Sequence, residues 1–140
     1  MHYLDPLTGT TYPLAAARWR ADNGNTLELA ASPGLRRADI RGDRYSVWRY
    51  ASALLVDEAH VVTMGEGWTP LTCGEWDGVQ VLFKCEFMMP TGSFKDRGMT
   101  AMVSYLKSRG INHVLEDSSG NAGASLSAYA AAASTRIARA

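Results

Sequence analysis

One lysine of the chain stands in a setting that suits covalent chemistry with an aldehyde. Lys95 belongs to the run PTGSFKDRG over residues 90–98 and falls in the first turn of a predicted helix. A cation there opposes the positive end of the helix dipole, and partial desolvation further favours the neutral amine. A neutral lysine amine can form a Schiff base. A solvated surface lysine is the plainer alternative, because lysine is rarely buried.

A second polar run precedes the next predicted helix. It reads SSGNAG over residues 118–123 and offers two hydroxyl groups, a glycine and an amide. Backbone N–H groups at a helix N-terminus bind carboxylate or phosphate, and the Asn121 amide could donate to an aromatic hydroxyl or phenolate oxygen. Serine and asparagine are also common helix caps, so an ordinary cap is an equally good interpretation of this run taken alone.

Two nucleotide-binding interpretations fail on spacing. A P-loop needs glycine directly before its lysine and serine or threonine directly after it, whereas Phe94 and Asp96 flank Lys95. Gly65 and Gly67 are likewise no dinucleotide fingerprint, because Pro70 occupies the place of the third glycine. Neither run is therefore read as a nucleotide site.

The two polar runs occupy equivalent places in an alternation of strands and helices. Val79, Val81, Phe83 and Cys85 alternate along residues 79–86, which predicts a strand. We then expect a helix over 93–108, a strand over 113–117, a second helix after residue 121, and the start of another strand over 135–140. This order is typical of a parallel α/β sheet, in which ligands gather at the carboxyl ends of the strands.

The two predicted helices have clear caps and apolar faces. Ser93 is the expected N-cap of the first helix, with Asp96 as a partial capping box, and Gly110 is placed to end that helix. The expected apolar stripe of the first helix comprises Met99, Met102, Val103 and Leu106. The expected buried face of the second comprises Ala122, Leu126, Tyr129, Ala130 and Ala133.

The chain before residue 79 is less regular. Turn-forming residues at 5–9 and 22–25 are each followed by a short apolar stretch, which predicts two small β-hairpin elements. Residues 45–59 contain neither proline nor glycine and carry apolar side chains near helical spacing, which predicts a helix.

The composition describes an ordinary folded protein. The 140 residues suit about one domain, 46% belong to the hydrophobic set, and the formal net charge is zero. This balance gives no support to a nucleic-acid or membrane-surface partner, and no apolar run is long enough for a membrane span. We expect a cytoplasmic protein without bound metal, in which Cys73 and Cys85 are reduced core thiols.

Three stretches of the chain together resemble one family. Residues 90–99 are similar to the lysine motif of fold-type II pyridoxal-phosphate enzymes, in the form found in threonine synthases. Residues 118–123 resemble the substrate-carboxylate loop of that superfamily, and residues 65–71, GEGWTPL, resemble its upstream Gly-Glu-Gly-x-Thr-Pro-Leu stretch. The three follow one another in the family's order over residues 60 to 135.

The resemblance implies a cofactor, a reaction and a set of site residues. Lys95 would bond to pyridoxal 5'-phosphate and later act as acid and base on the substrate, with Phe94 packed beside the cofactor and Asn121 donating to its ring oxygen. The residues implied to bind the amino-acid substrate are Ser118, Ser119, Gly120, Asn121, Ala122 and Thr69. The reaction implied is the conversion of O-phosphohomoserine and water into threonine and phosphate.

The resemblance also implies what the chain lacks. Residues 1–40 resemble a zinc-ribbon-like segment without cysteines, and residues 41–140 correspond to the N-terminal part of the catalytic fold, a partial three-layer parallel-sheet structure with a small β-rich appendage. The family's glycine-rich phosphate loop lies further downstream, so we expect the 140 residues alone to be marginally stable and a poor enzyme. The complete protein could form a homodimer.

Two alternatives stay open at this point. A threonine or serine dehydratase-like ammonia-lyase shares the same loops, and a non-catalytic fragment or paralogue would bind at most a small amino acid or a partner chain.

Overall fold

A computed structural model describes residues 2–16, 18–31 and 33–139 of the chain, with the side chain of Arg139 outside that description. The chain divides into two compact units, Met1–Gly34 and Leu35–Ala140. Ala140, the last residue of the expected final strand, lies outside the described residues. No helix in the described ranges is long and apolar enough to cross a membrane.

The first unit is a small antiparallel sheet. Its strands are β1 (His2–Leu4), β2 (Thr11–Pro13) and β3 (Glu28–Leu29), in the order β2-β1-β3. Tyr3 lies opposite Tyr12 on one side and Leu29 on the other. A short 3₁₀ helix spans Leu14–Ala16. The first predicted hairpin is present, since the 5–9 turn joins β1 to β2. The second is wrong in its pairing, because the 22–25 turn is spanned by an isolated bridge between Arg20 and Thr26, and β3 after it pairs with β1.

A buried aspartate joins the two turns of this unit. Asp5 accepts hydrogen bonds from the backbone N–H of Leu7 at 2.9 Å and from the Thr8 hydroxyl at 2.8 Å. It also accepts from the side-chain amides of Asn23 and Asn25, each at 3.0 Å. Burial alone raises the pKa of Asp5, but these hydrogen bonds outweigh it and hold the pKa well below its usual range.

The predicted helix over 45–59 is wrong. Residues Val47–Ala53 form 3₁₀ turns with a kink at Tyr50, and a further 3₁₀ turn spans Glu58–His60, as another does at Arg37–Asp39. The physical reason is tertiary. The Trp48 indole N–H donates to the Thr100 hydroxyl at 2.9 Å, and the Val47 backbone N–H donates to the Glu66 carbonyl at 2.8 Å. The segment is thus positioned by contacts with Thr100 and Glu66, which come from distant parts of the chain, and not by its own helical periodicity.

The predicted strand over 79–86 is present, but its partner is antiparallel. Strands β4 (Leu71–Trp76) and β5 (Val79–Lys84) form a hairpin in which Trp76 lies opposite Val79. Asp77 and Gly78 connect them with φ of 48° and 78°. Positive φ at both positions is the geometry of a two-residue hairpin turn, which forces the neighbouring strands to run in opposite directions.

The hairpin changes two expectations. β5 was expected to open a parallel sheet, and among the described residues it instead pairs with β4. Cys73 lies on β4 and is exposed, so the prediction of a core thiol is wrong there, whereas Cys85 is buried as expected. A 3₁₀ turn, Glu86–Met88, leads from β5 towards the lysine run.

The second half of this unit follows the predicted order. Helix α1 (Lys95–Ser108) is followed by β6 (His113–Glu116), α2 (Asn121–Ala132) and β7 (Arg136–Arg139), and β6 pairs with β7 in parallel. Gly110 ends α1 with φ of 67°, donating its N–H to the Lys107 carbonyl, while Ile111 donates to the Leu106 carbonyl. This is a Schellman motif, and it confirms the expected end of the helix. The chain is therefore a mixed α/β structure.

The core of the second unit lies between the two helices. Its buried members are Val62, Met99, Val103, Leu126, Tyr129 and Ala130, and the partly buried Val114, Ala128, Ala133 and Ile137 pack against it. The predicted stripes are confirmed in part. Met102 is 40% exposed, because Thr100 and Ser104 face inward beside Met99 and Val103 and bond the Val62 backbone.

Candidate active site

Lys95 is the first residue of α1 and is held there by the preceding loop. Its side chain is exposed, and its amine nitrogen lies 4.8 Å from the centre of the exposed Phe94 ring. The desolvation expected at this lysine is therefore not supplied by the described residues. Ser93 is buried, and its hydroxyl oxygen accepts the Lys95 backbone N–H at 3.2 Å. Phe94 rather than Ser93 occupies the N-cap position, one residue later than predicted.

Asp96 ties the lysine loop to the second helix. Its side chain is fully buried. One carboxylate oxygen accepts the Thr91 backbone N–H at 2.8 Å, and the other accepts the hydroxyls of Thr91 and Ser125, each at 2.5 Å. The predicted capping box is wrong, because this carboxylate bonds the preceding loop and α2 instead of the backbone of Ser93. A single buried group thus fixes the lysine loop against the beginning of α2.

The run over 118–123 forms the loop and first turn of α2. The Ser118 hydroxyl accepts the Gly120 N–H at 3.2 Å, and the Gly120 carbonyl accepts the Ala124 N–H at 3.2 Å. Ser119, Gly120 and Asn121 are exposed, and Ser118 and Ala122 are partly buried. The first N–H groups of α2 have no carbonyl four residues back within the helix, which leaves them available to an anion.

Gly123 allows the loop to approach α2 closely. A Cβ atom on this buried glycine would lie 2.6 Å from the Ser118 carbonyl oxygen. That is closer than a real Cβ contact, so only glycine permits the loop to fold back in this way.

Both predicted loops therefore stand at the N-terminal ends of two packed helices. The Asp96–Ser125 hydrogen bond brings these ends together, with Lys95 beside Asp96 in the chain and Asn121 one turn before Ser125. The arrangement places an exposed primary amine, an exposed amide and a helix N-terminus at one end of the helix pair. Such groups can bond an aldehyde, donate to a ring oxygen and hold a carboxylate.

Thr69 lies in a separate cluster of charged groups. Its buried hydroxyl donates to Glu86 at 2.6 Å, and the Arg97 guanidinium binds Glu86 through two nitrogens at 2.7 and 2.8 Å. The Lys84 ammonium donates a hydrogen bond to the Thr69 carbonyl. Chiefly through the Arg97 hydrogen bonds, the pKa of Glu86 falls to about 2.

Glu66 of the GEGWTPL stretch is buried against α2. Its carboxylate accepts the Tyr129 hydroxyl at 2.7 Å, the Thr63 hydroxyl at 3.0 Å and the Met64 N–H at 2.9 Å. Burial and the bond to Glu66 raise the pKa of Tyr129 far above its usual value, which keeps the phenol protonated. Gly67 beside it has φ of 111°, and a Cβ there would lie 2.7 Å from the Val47 nitrogen.

Sequence reasoning missed the charged cluster around Glu86 and the buried carboxylates of Glu66 and Asp96. One signal was available, because Lys84 and Glu86 stand two apart at the end of the strand predicted over 79–86, where side chains would share a face. No such signal exists for Glu66, whose main partner lies 63 residues away. In the described residues, no group of three His, Cys, Asp or Glu side chains is arranged to hold a metal ion.

Several curated proteins similar to this chain are described as threonine synthases. The threonine synthase of Methanocaldococcus jannaschii is 37% identical over 134 residues, covering 88% of this chain and 33% of that protein. The threonine synthase of Methanosarcina acetivorans is 47% identical over 93 residues, covering 63% of this chain and 23% of that protein. That of Mycobacterium leprae is 47% identical over 81 residues, covering 55% and 22%. The chain thus spans a third or less of the length of these curated relatives.

A family comparison covers both loops of the site. The sequence pattern described as "Pyridoxal-phosphate dependent enzyme" matches residues 62–138, which is more than half of the chain. The match includes the GEGWTPL stretch, the lysine loop, α1 and α2. On this ground, the chain belongs to the family of pyridoxal-phosphate dependent enzymes.

Proposed function

We propose that the chain is the part of a threonine synthase-like enzyme that carries the cofactor lysine. The observation that supports this most directly is Lys95 at the N-terminus of α1, beside a carboxylate that fixes its loop to the second polar loop. The reaction proposed for the whole protein is the conversion of O-phosphohomoserine and water into threonine and phosphate.

The residues present fit pyridoxal phosphate by the chemistry of their donors. The Lys95 amine is exposed and can bond an aldehyde, and the Asn121 amide is exposed and can donate to a phenolic oxygen. Phe94 is exposed beside Lys95 and offers an apolar face to a planar ring. When bound, the cofactor supplies an electron sink that stabilises negative charge on the substrate carbon.

The chain's own groups have separable roles in this proposal. The backbone N–H groups of Asn121 and Ala122, with Ser118, Ser119 and Gly120, bind the substrate α-carboxylate at the positive end of α2. Lys95 Nζ takes up and returns a proton at the substrate carbon. Asp96 takes no part in proton transfer and instead holds the loop that aims Lys95.

Thr69 fits the proposed substrate site in one way only. Its hydroxyl hydrogen is directed to Glu86. The oxygen already lies 3.3 Å from an Arg97 nitrogen. A substrate donor could therefore bind Thr69 only at the remaining lone pair of that oxygen.

Three wider features belong to the same proposal. The 41–140 part would form one side of a three-layer fold-type II structure in the complete protein, which could be a homodimer acting in the cytoplasm. Residues 1–40 would be a counterpart of the zinc-ribbon-like segment that is closed by Asp5 rather than by cysteines.

Chemical trapping tests the assignment of Lys95. The protein is incubated with pyridoxal phosphate, reduced with borohydride, digested and mapped by mass spectrometry. We expect the pyridoxyl group on Lys95, and the variant Lys95→Ala should lose it while Lys107→Ala keeps it. A modification that stays on Lys84 or Lys107 in both variants would refute the role of Lys95.

A second assay separates the proposed reaction from the dehydratase alternative. Phosphate release from O-phosphohomoserine, together with threonine formation, supports the synthase. Ammonia release from threonine or serine, with no phosphate released, identifies an ammonia-lyase instead. Labelling of Lys95 without either product indicates a protein that binds the cofactor but does not catalyse.

A further inference from the structure

One cleft of the Leu35–Ala140 unit is rich in positive charge. It has a volume of about 400 Å³. The side chains that line it and carry its chemistry are Arg49, Tyr50, Trp68, Lys84, Glu86 and Arg97. They come from the 3₁₀ segment after Ser46, the GEGWTPL stretch, the end of β5 and the first turn of α1.

The charges in this cleft do not balance. Arg49, Lys84 and Arg97 supply three cations, and Glu86 is the one anion among the lining residues. Glu86 is already occupied by two nitrogens of Arg97, from which it accepts at 2.7 and 2.8 Å. Lys84 uses one of its N–H groups to bond the Thr69 carbonyl. Its other N–H groups and the charge of Arg49 are left for something else in the cleft.

Arg49 is held in place without a carboxylate partner in the cleft. Its guanidinium lies 4.2 Å from the centre of the Trp68 ring and 5.5 Å from that of Tyr50. Its Nε is buried and has no hydrogen-bond partner among the described residues. Stacking fixes the plane of a guanidinium while leaving its N–H edge able to bind an oxyanion.

Trp68 presents its ring to Arg49 through an unusual backbone conformation. Its φ is 52°, in the left-handed region that bulky residues rarely adopt. Trp68 is 54% exposed, and the Tyr45 ring packs edge-on against its ring with the ring centres 5.2 Å apart. The position of Arg49 is thus fixed by an aromatic side chain that is itself packed against Tyr45 and partly exposed.

The cleft is distinct from the lysine site. Lys95 is not among its lining residues, and Arg97 is two positions further along α1. Residues two apart on a helix do not face the same way. The side of α1 that lines the cleft through Arg97 is therefore different from the side that carries Lys95.

We propose that this cleft binds a phosphate group, carried either by free phosphate or by a phosphate monoester. Arg49 contributes the planar N–H edge, Lys84 contributes a point charge, and Glu86 keeps Arg97 in place while limiting the affinity by its own charge. Tyr50 and Trp68 offer an apolar wall to an organic substituent on the phosphate. The cleft does not include Lys95, but it shares Lys84, Glu86 and Arg97 with the cluster around Thr69. The proposal does not depend on the reaction at Lys95.

Calorimetric titration at constant ionic strength tests the proposal, with inorganic phosphate and ethyl phosphate as the two probes. We expect saturable binding that weakens about tenfold or more in Arg49→Gln and in Lys84→Gln, because each removes a charged hydrogen-bond donor. Arg49→Lys should lose less than Arg49→Gln. Glu86→Gln should bind more tightly, which damage to the fold would not produce. Tighter binding of ethyl phosphate identifies a monoester as the ligand, and equal or weaker binding identifies free phosphate.

The control is Lys107→Gln, which removes the same charge from an exposed position at the far end of α1. It should leave the affinity unchanged. Circular dichroism confirms the fold of each variant, and Lys84→Gln decides the matter if Arg49→Gln does not fold. The proposal is overturned if neither probe binds saturably, or if Lys107→Gln weakens binding as much as Lys84→Gln does.

Discussion

The loop before α1 and the loop before α2 stand at the same end of two packed helices, yet they are held by different means. The lysine loop is fixed by a buried carboxylate, Asp96, with three hydrogen bonds and by the buried Ser93. The loop before α2 is exposed at Ser119 and Asn121, and it is shaped by close backbone contact at Gly123. The difference fits the roles proposed for the two loops, because a lysine that bonds a cofactor would need a rigid base, whereas a loop that admits a substrate would leave its donors open.

Breaking the rigid loop should have the largest effect. Replacing Asp96 by Ala leaves the Thr91 N–H and two hydroxyl groups without their acceptor in a buried place, which should cost about 3 kcal/mol or more of unfolding free energy. Asp96→Asn keeps one acceptor and should cost less. Urea unfolding of the three proteins measures this, and equal stabilities would show that the carboxylate does not support the loop.

A methyl group at Gly123 tests the other loop. Gly123→Ala places a Cβ against the Ser118 carbonyl and should destabilise by about 1–3 kcal/mol. Gly98 of α1 is the matched control, because a Cβ there meets nothing within 4 Å. Gly98→Ala should stabilise the protein by about 0.5–1 kcal/mol through helix propensity. Melting temperatures that move in the same direction for both variants would contradict this account of the loop.

Acid should weaken the ion pair between Glu86 and Arg97, which lies in the first turn of α1. The Arg97 hydrogen bonds lower the pKa of this carboxyl from 4.5 in the unfolded chain to about 2. Its stabilising contribution is therefore present above pH 4.5 and is lost as the pH falls from 4.5 to about 2. We expect roughly 1–2 kcal/mol, less than the whole shift would give, because the pair is partly exposed.

Unfolding free energies at pH 7 and pH 3 measure this loss. The variant Glu86→Gln should reduce the pH dependence over this range, since it has no carboxyl to protonate at that place. If the variant and the parent lose the same stability, the ion pair with Arg97 is not the cause.

The smallest effect on stability should come from the open loop. Asn121 is exposed, so Asn121→Ala should change the unfolding free energy by less than about 0.5 kcal/mol. In the proposed enzyme the same change should lower kcat/KM by about tenfold, the typical cost of one hydrogen bond to a charged oxygen. A large loss of stability without a change in kcat/KM would reverse the roles that we assign to the two loops.

Local patterns predicted the local structure well. Both helices, the end of α1 at Gly110 and the strands after residue 79 follow from periodicity and from the glycine signal, whose causes lie within a few residues. The predicted N-cap at Ser93 and its capping box were wrong. Strand β4 escaped notice because Gly74 interrupts it, although Asp77 and Gly78 were a usable hairpin signal. The failed helix over 45–59 shows the limit, since Trp48 finds its partner at Thr100.

In the candidate site, too, local features could be predicted from the sequence and contacts between distant residues could not. The residue types of both loops could be recognised in the sequence, because their chemistry belongs to the side chains themselves. The partners that hold them could not be recognised, since the Asp96–Ser125 and Glu66–Tyr129 bonds join residues 29 and 63 positions apart. Periodicity carries no information about which buried hydroxyl will meet which carboxylate.

The aspartate that joins the two turns of the first unit has a consequence for the conditions under which that unit stays closed. The ionised carboxyl of Asp5 accepts from Asn23, Thr8 and Leu7, and protonation would turn one of its oxygens into a donor. The pKa of Asp5 is held far below the usual range, so its carboxyl stays ionised except in strong acid. The hydrogen bonds that join the two turns through Asp5 therefore persist from neutral to mildly acidic pH.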